Sequence, residues 1–312
     1  MTLRQIIKLV LLSAIWGSMF LLVKYALRDF SPMEVAFLQA AIGAIGLLVI
    51  VNVEGGTVRA KLGDILHRPG RALLLGLLAI AAPFMLITLG ELVVPSGLAG
   101  VLASMAPIFI ALFAPVLDRQ FEINRWQAGG LLVGVFGVAL VVGAHLVGSL
   151  GQFLGALALL AAAASGALSS FVIALQYKDK GVPASTTSFF ALSVGALLTL
   201  PLAIVTAPHE LPSLWAVLAV IALGLGCTAL GYLLYYSLID HIGGERAALA
   251  NYLTPAFALF YGVLLLGEHL TIAAIIGLAL IILGAEITVR EASDRRSRNA
   301  WRNRYRAHPP FH

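Results

Sequence analysis

The sequence predicts an all-α integral membrane protein with ten transmembrane helices, arranged as two inverted repeats of five. Three observations predict it: the composition, the length of the apolar runs, and a similarity between the two halves of the chain. Of the 312 residues, 60% are hydrophobic and 11% are charged, whereas soluble domains carry about 25% charged residues. No single soluble core buries that much apolar surface, so a bilayer is the expected solvent.

The apolar residues fall into ten runs of roughly 20, the length that an α-helix needs to cross a hydrocarbon core about 30 Å thick. The predicted spans are residues 6–27, 32–53, 72–90, 96–117, 127–147, 153–176, 186–205, 214–238, 247–266 and 271–289. Charged residues mark their ends: Glu34 lies within a turn of the start of the second span, Glu91 follows the third, Glu122 the fourth and Glu268 the ninth. The first run is too long for a secretory signal and is followed directly by another span, so we expect it in the mature protein.

The positive charges predict the orientation, because short cytoplasmic loops carry an excess of Lys and Arg. Alternating the ten spans puts 18 of the 20 Lys and Arg residues on one side and leaves only Lys24 and Arg28 on the other. We therefore expect a multi-pass protein of the cell (inner) membrane with both termini in the cytoplasm. The net charge of +5 follows from this bias and the basic tail, so we expect no nucleic-acid partner.

The two halves of the chain resemble each other. Met105-Ala-Pro-Ile in the fourth span matches Leu253-Thr-Pro-Ala in the ninth. Glycines of the fifth and tenth spans also correspond: Gly130 and Gly137 match Gly277 and Gly284. The spacing of the small residues Gly130, Gly134 and Gly137 lets helices approach closely, so we interpret them as packing residues.

Each half holds five spans, an odd number, so the second half enters the membrane with the opposite polarity. The sequence thus predicts two inverted repeats, residues 6–147 and 153–289, followed by a basic cytoplasmic tail, residues 290–312. Inverted repeats recur in secondary transporters, where two exchangeable halves open a central site alternately to each side. Transport is therefore the expected function.

The sequence resembles the EamA-type family of the drug/metabolite transporter superfamily over nearly all of residues 6–289. The residues that carry the resemblance are Trp16-Gly17-Ser18 with Phe20 and Lys24, Pro32, and the run Pro255, Gly262, Gly267-Glu268, Gly277 and Gly284. The resemblance implies two EamA units around a central cavity and transport of small metabolites such as amino acids. Many family members carry an arginine where this chain has Gln39, so an anionic group held by that arginine is not implied here.

Polar side chains inside a membrane are costly unless they pair with another helix or face water. Stripes of polar and aromatic residues at helical spacing on the first, sixth, eighth and ninth spans therefore indicate a cavity. The candidate substrate-binding residues are Trp16, Phe20, Gln39, Ser165, Ser169, Tyr232, Tyr235, Asn251 and Thr254. A purely structural explanation exists for the hydroxyl residues, because Ser and Thr also bond carbonyls of their own or neighbouring helices.

Two prolines are candidate helix kinks. Pro107 and Pro255 have no backbone N–H, so the carbonyls of Ala103 and Asn251, four residues earlier, lose their helical partners. A freed carbonyl beside the Asn251 carboxamide offers acceptors for a substrate ammonium or a water molecule. We predict that both prolines flank the binding site.

The coupling ion is open at this point. Proton-coupled carriers usually hold a carboxylate or histidine deep in the membrane, and the sequence shows none there. A sodium site of backbone carbonyls leaves no charge signature, so H⁺ coupling, Na⁺ coupling and facilitated diffusion all remain. Lys24 and Glu34 flank the shortest loop and are candidate charges at the outer mouth, although snorkelling to the interface also explains them.

The main alternative of another class is a membrane-embedded enzyme. The sequence has no His-x-x-x-x-His pair, paired aspartates, Gly-x-Ser-x-Gly turn or phosphate loop on which to build one. We expect no enzyme activity, cofactor or metal site. Within transport, a multidrug exporter of cations is the alternative, but such sites usually pair the cation with a buried carboxylate. We predict a secondary transporter of small metabolites, amino acids above all, with export as the preferred direction and membrane lipid as its other partner.

Overall fold

The computed structural model describes residues 1–53, 69–117, 125–145, 149–177, 184–208, 210–247, 249–269, 271–284 and 286–287. These residues form helices and short connections, with no strand among them. The helices are α1 (Leu3–Ala26), α2 (Pro32–Val53), α3 (Pro69–Gly90), α4 (Ser96–Leu117), α5 (Arg125–His145), α6 (Leu150–Tyr177), α7 (Ala184–Thr206), α8 (Leu214–Ile242), α9 (Leu249–Leu266) and α10 (Ile272–Gly284), with one turn, Gly244–Ala247, before α9. The predicted basic tail and Glu122 lie outside the described residues.

Eight of these helices are long and apolar enough to cross a membrane. The helices α5 and α10 contribute shorter apolar segments, Arg125–Leu140 and Ile272–Gly284. The predicted all-helical membrane fold is therefore confirmed. The number of ten spans stays a prediction, since it depends on α5 and α10.

Local sequence sets the helix starts. A capping box closes the start of α1, where Thr2 and Gln5 exchange side-chain and main-chain hydrogen bonds. At the start of α2, the N–H of Ser31 donates to Glu34 Oε2 at 2.9 Å, and the N–H of Glu34 donates to Ser31 Oγ at 3.2 Å. Both pairs satisfy N–H groups that the first turn leaves without helical partners.

Three helices are irregular in their middle. A π-helical segment interrupts α3 at Leu77–Ala81, and another interrupts α8 at Ala222–Leu230. The helix α4 consists of Ser96–Ala103 and Ala106–Leu117, with a break at Ser104 and Met105. Such departures from the α-helical ladder often lie at functional sites.

The helices pack in pairs that correspond between the two halves. The contact of α1 with α9 in one arrangement corresponds to the contact of α6 with α4, and the contact of α2 with α8 corresponds to that of α7 with α3. The helices α2 and α7 occupy equivalent places in the two halves and pack against each other. Glycines bring these pairs close: a Cβ on Gly43 would lie 3.5 Å from the Gly224 carbonyl oxygen, and one on Gly195 would lie 3.3 Å from that of Gly76. The contact of α2 with α8 in one half thus has a counterpart of similar closeness in the contact of α7 with α3.

The small residues of α5 and α10 pack against each other, as their spacing predicts. A Cβ on Gly137 would lie 2.7 Å from the carbonyl oxygen of Gly277, and one on Gly284 would lie 2.5 Å from that of Gly130. These distances leave no room for a side chain. The hydrophobic effect does little to drive two helices together in lipid. Close backbone packing at small residues therefore stabilises the α5–α10 contact through van der Waals attraction.

Candidate functional site

A central cavity of about 550 Å³ lies between α1, α2, α3, α4, α6, α8 and α9. Its lining residues are Trp16, Met19, Phe20, Gln39, Phe84, Ile87, Ala103, Ser104, Ala106, Pro107, Ile110, Ser170, Cys227, Thr228, Tyr232, Tyr235, Asn251, Tyr252 and Thr254. None of these residues carries a charge. The wall is aromatic and apolar, with a few amide and hydroxyl groups, which is the usual make-up of a small-molecule site.

Most of the residues predicted from the sequence meet at this cavity. Seven of the candidate substrate-binding residues and one proline line it: Trp16, Phe20, Gln39, Tyr232, Tyr235, Asn251, Thr254 and Pro107. The other predicted residues, Ser165, Ser169, Pro255, Lys24 and Glu34, lie elsewhere.

Trp16 is fixed on the cavity wall from two directions. Its Nε1 donates to the carbonyl oxygen of Cys227 at 3.2 Å, and its ring lies 5.2 Å from the ring of Tyr235 at an angle of 50°. Gly231 makes room for the indole, because a Cβ there would lie 2.6 Å from Trp16 Nε1. The tryptophan thus presents a rigid aromatic face from α1 to the cavity.

The phenol rings of α8 extend this surface. Tyr232 and Tyr236 stack with their centroids 5.9 Å apart and their planes at 7°. The hydroxyl of Tyr236 also forms a hydrogen bond with Ser188 of α7. Because Tyr236 is anchored to α7, the lining ring of Tyr232 has a fixed neighbour.

Gln39 supplies a buried amide and is only 2% exposed. Its Nε2 donates to Thr228 Oγ1 at 3.4 Å and lies 3.6 Å from the Met19 sulfur. The Thr228 hydroxyl in turn donates to the carbonyl of Leu223, five residues earlier, at 3.0 Å. The π-helical segment of α8 therefore sets the position of the threonine that holds Gln39.

The two prolines have different surroundings. The break in α4 falls just before Pro107, where Ala103, the residue whose carbonyl loses its helical partner, also lines the cavity. The helix α9 runs without interruption through Pro255. Asn251 is half-buried at the cavity, and its carboxamide has no hydrogen-bond partner among the residues that the structure describes. An amide with free donor and acceptor atoms therefore faces the cavity.

The serines of the predicted α6 stripe have packing contacts. Ser165 donates to the carbonyl of Leu78 at 2.9 Å, within the π-helical segment of α3, and Ser169 donates to Gly166 at 2.7 Å. Ser170, the next residue, lines the cavity instead. Among the lining residues, Ser170 is exposed and Ile110 is 37% exposed.

The end of the cavity away from Ser170 and Ile110 is closed by tightly packed helices. Phe20, Leu102 and Ala258 are 2% exposed or less, and a Cβ on Gly100 would lie 2.3 Å from that of Ala258. Beyond this layer lie Lys24, Glu91 and Glu268, which we call the closure cluster. Here the Lys24 ammonium donates to the main-chain carbonyl of Glu91.

Glu268 links the connection after α9 to the start of α4. Its carboxylate accepts the N–H groups of Ser96 and Gly97, at the start of α4, at 2.6 and 2.9 Å. Gly262 makes space for it, since a Cβ there would lie 2.4 Å from Glu268 Oε2. Gly267 precedes Glu268 with a φ of 67°, in the region that favours glycine. Glu34 lies apart, as the capping residue of α2.

Several lining residues were missed by the sequence analysis. Phe84 and Ile87 of α3 sit in a run that is hydrophobic on every face, so no periodicity separates cavity from lipid. Tyr252 of α9 lies beside the predicted stripe of Asn251 and Thr254 and not on it. Cys227 lies in the irregular part of α8, where α-helical spacing does not apply. Its neighbour Thr228, which also lines the cavity, belongs to the polar stripe predicted on the eighth span. Among the described residues, no group of three His, Cys, Asp or Glu side chains is placed to hold a metal ion.

Comparison with known families gives two matches within the one chain. The model of the EamA-like transporter family matches residues 3–143 and again residues 153–290. These two ranges cover the helices that surround the cavity and include both halves of the chain.

Individual relatives match over almost their whole length. An uncharacterized transporter of Archaeoglobus fulgidus is 26% identical over 285 residues, which are 91% of this chain and 98% of that protein. A probable amino-acid metabolite efflux pump of Salmonella typhimurium is 28% identical over 288 residues, 89% of this chain and 92% of that protein. One solved crystal structure, 21% identical, has the same fold with a TM-score of 0.65 over 94% of this chain and 99% of its own.

Proposed function

We infer the function from one premise: this chain belongs to the EamA-like transporter family and is a multi-pass membrane transporter. We propose that it is a secondary transporter that exports small zwitterionic metabolites, amino acids above all, by alternating access. The efflux name of the Salmonella typhimurium relative supports the substrate class and the direction.

The observation that carries the proposal is the neutral aromatic cavity. Its aromatic wall, with Trp16 and Tyr235 at 5.2 Å, suits an apolar side chain or flat group. The free carboxamide of Asn251, and the carbonyl of Ala103 that Pro107 leaves without its helical donor, suit an ammonium or carboxylate that needs hydrogen bonds but no net countercharge. A zwitterionic amino acid carries both an ammonium and a carboxylate but no net charge, so it fits a cavity wall without ionised groups.

The packing asymmetry between the halves supports alternating access. Gly17 of α1 is pressed against α9, where a Cβ would lie 2.5 Å from Phe257 Cβ. Gly166 occupies the corresponding place on α6, and a Cβ there meets nothing within 4 Å. One of two related interfaces is thus closed and the other loose. We propose that transport exchanges the two, as expected for inverted repeats.

The charge bias supports an orientation with both termini in the cytoplasm of a cell (inner) membrane. In this orientation the closure cluster faces outside, and the cavity in this conformation opens to the cytoplasm near Ser170 and Ile110. The substrate-binding residues that we propose are Trp16, Phe20, Gln39, Tyr232, Tyr235, Asn251 and Thr254. Pro107 then lies at a hinge between the two parts of α4.

The test is counterflow in proteoliposomes that hold the purified full chain and an excess of one unlabelled amino acid. Labelled amino acid outside is expected to accumulate, and Trp16→Ala is expected to abolish the accumulation. Trp126→Ala is the matched control, because Trp126 is 59% exposed and lies away from the cavity. Accumulation of a cationic dye without amino-acid counterflow would identify a drug exporter instead, and loss of counterflow in both variants would remove the cavity from the proposal.

A further inference from the structure

One buried acidic side chain plays no part in the cavity. Glu91 is the first residue after α3 and is 0% exposed. Neither of its carboxyl oxygens has a hydrogen-bond partner among the described residues, and the neighbouring Ser96 Oγ is also buried without one. The nearby Lys24 ammonium is directed to the main-chain carbonyl of Glu91 and forms no hydrogen bond to its carboxyl group.

An ionised carboxylate without hydrogen bonds is costly to bury, and such a group takes up a proton instead. Burial raises the pKa of Glu91, the Lys24 charge lowers it, and the Glu268 charge raises it again. Burial is the largest of these effects. The geometry and the electrostatics therefore agree on a neutral acid in this conformation.

Glu268 has the opposite environment. Its carboxylate accepts two main-chain N–H groups at the start of α4, and both these bonds and the helix dipole stabilise a negative charge there. Two neighbouring carboxyl groups thus have contrasting surroundings: Glu268 accepts two main-chain N–H groups, and Glu91 accepts none from the described residues. This arrangement is typical of sites that handle protons.

The helices α4 and α6 bring no further charge to Glu91. The helix α6 touches the preceding residue, since a Cβ on Gly90 would lie 2.7 Å from Leu159 Cγ. Neither α6 nor α4 contains an acidic or basic residue. Among the described residues, Lys24 and Glu268 are the charged groups that act on the pKa of Glu91.

We propose that Glu91 is a proton-binding site that links the closure cluster to pH. Glu91 carries a proton while the cluster is closed and buried. When α1, α4 and α9 separate and water enters, the O–H bond of the carboxylic acid breaks, the proton passes to water and the carboxylate remains. The proposal depends on the proposed function only for its sidedness, which assigns this end to the outside.

The closed and open states then differ by one bound proton. The ratio of open to closed molecules is expected to rise about tenfold for each unit of external pH while Glu91 is protonated in the closed state. External acid therefore holds the closure cluster shut. This linkage needs no solute, so it is measurable on a resting protein.

The experiment follows opening by labelling one cysteine with a membrane-impermeant maleimide added to intact cells. The background is Cys227→Ser, which removes the single native cysteine and keeps a hydroxyl donor for the Ile15 carbonyl that the Cys227 thiol contacts. Met19→Cys reports from the cavity side of the closure cluster. Leu211→Cys, on the α7–α8 connection and 96% exposed, is the reference, and the ratio of the two rates corrects for reagent chemistry.

The labelling ratio is expected to rise about tenfold per pH unit in the parent protein and to be independent of pH in Glu91→Gln, where no proton is released. Glu210→Gln, which changes an exposed glutamate on the same end of the molecule, is the matched control and keeps the parent slope. A parent slope retained in Glu91→Gln, or a parent ratio that ignores pH, overturns the proposal.

Two further variants test the electrostatics without removing the site. Lys24→Met removes the charge that favours the carboxylate, so the labelling curve shifts to higher pH; Glu268→Gln removes a repelling charge, so it shifts to lower pH. Unmoved curves in both count against Glu91 as the titrating group. If Leu211→Cys is labelled only in inverted vesicles, the proposed orientation is wrong. The labelling ratios of the same variants are then measured in inverted vesicles, so the proton site is tested independently of the orientation.

Discussion

Glu268 caps the start of α4 across 172 residues of sequence, with its Oε1 accepting the N–H of Ser96 at 2.6 Å. The second carboxylate oxygen accepts the N–H of Gly97 at 2.9 Å. A residue after α9 thereby satisfies N–H groups that the first turn of α4 leaves without partners. The connection after α9 in the second half of the chain is thus fastened to the start of α4 in the first half.

This cap predicts a measurable loss of stability. Glu268→Ala removes two charge-assisted hydrogen bonds and is expected to lower the free energy of unfolding by about 2 kcal/mol or more. The purified protein should then melt several degrees lower in a detergent thermal-shift measurement. Glu210→Ala, in an exposed connection, should melt with the parent protein. Equal melting of all three proteins would show that the cap contributes nothing to stability.

Substitutions at Gly17 and Gly166 are expected to differ in their effect on stability, although both positions belong to the interfaces that are proposed to exchange in transport. Gly17→Val forces α1 away from α9, because its Cβ would lie 2.5 Å from Phe257 Cβ, and overpacking of this kind costs about 1 to 3 kcal/mol. Gly166→Val meets open space and should melt like the parent. If the two interfaces exchange during transport, Gly166→Val nevertheless stops counterflow, since the added side chain blocks the opposite conformation. Parent-like counterflow in Gly166→Val would contradict the exchange.

Much of the fold was predictable from composition and spacing. The predicted second and fourth spans, residues 32–53 and 96–117, have the observed bounds because Pro32 and the turn before Ser96 mark where helices begin. The candidate site was predictable on α1, α8 and α9, where aromatic and amide residues stand out against an apolar background. Trp16, Tyr235 and Asn251 meet at the cavity for this reason.

The rest depended on geometry that sequence spacing does not contain. On α6, Ser165 and Ser169 share a helical face, yet Ser170 reaches the cavity. Serines lie on more than one face of this helix, so their spacing does not show which face meets the cavity. The π-helical segment at Ala222–Leu230 changes the spacing on α8. From the sequence, Glu91 follows a predicted span and is interpreted as a charge at the membrane interface. Its burial becomes visible only in the structure.

Trp16 provides an optical test of binding. In a protein with Trp126→Phe, Trp215→Phe and Trp301→Phe, Trp16 is the remaining one of four tryptophans. A transported amino acid should change its fluorescence, because the ring lies on the cavity wall. Binding to the Trp16→Phe protein, followed by calorimetry, should be weaker by about fivefold, as expected when a hydrogen bond worth about 1 kcal/mol that positions the ring is lost. Unchanged fluorescence at saturating solute would place the binding site elsewhere.

Gln39 predicts how the charge of the cavity selects the solute. The side chain is 2% exposed and donates to Thr228, so a charge placed there is poorly screened and acts on a bound solute with about 4 kcal/mol at 4 Å for an effective dielectric constant of 20. Gln39→Arg should therefore favour amino acids with a net negative charge over zwitterions, and Gln39→Glu should favour those with a net positive charge, both measured by competition in counterflow. Gln39→Met keeps the length without a charge and separates shape from electrostatics. Identical selectivity in the Arg and Glu variants would show that Gln39 does not face the solute, whereas opposite shifts follow only if the solute binds beside it.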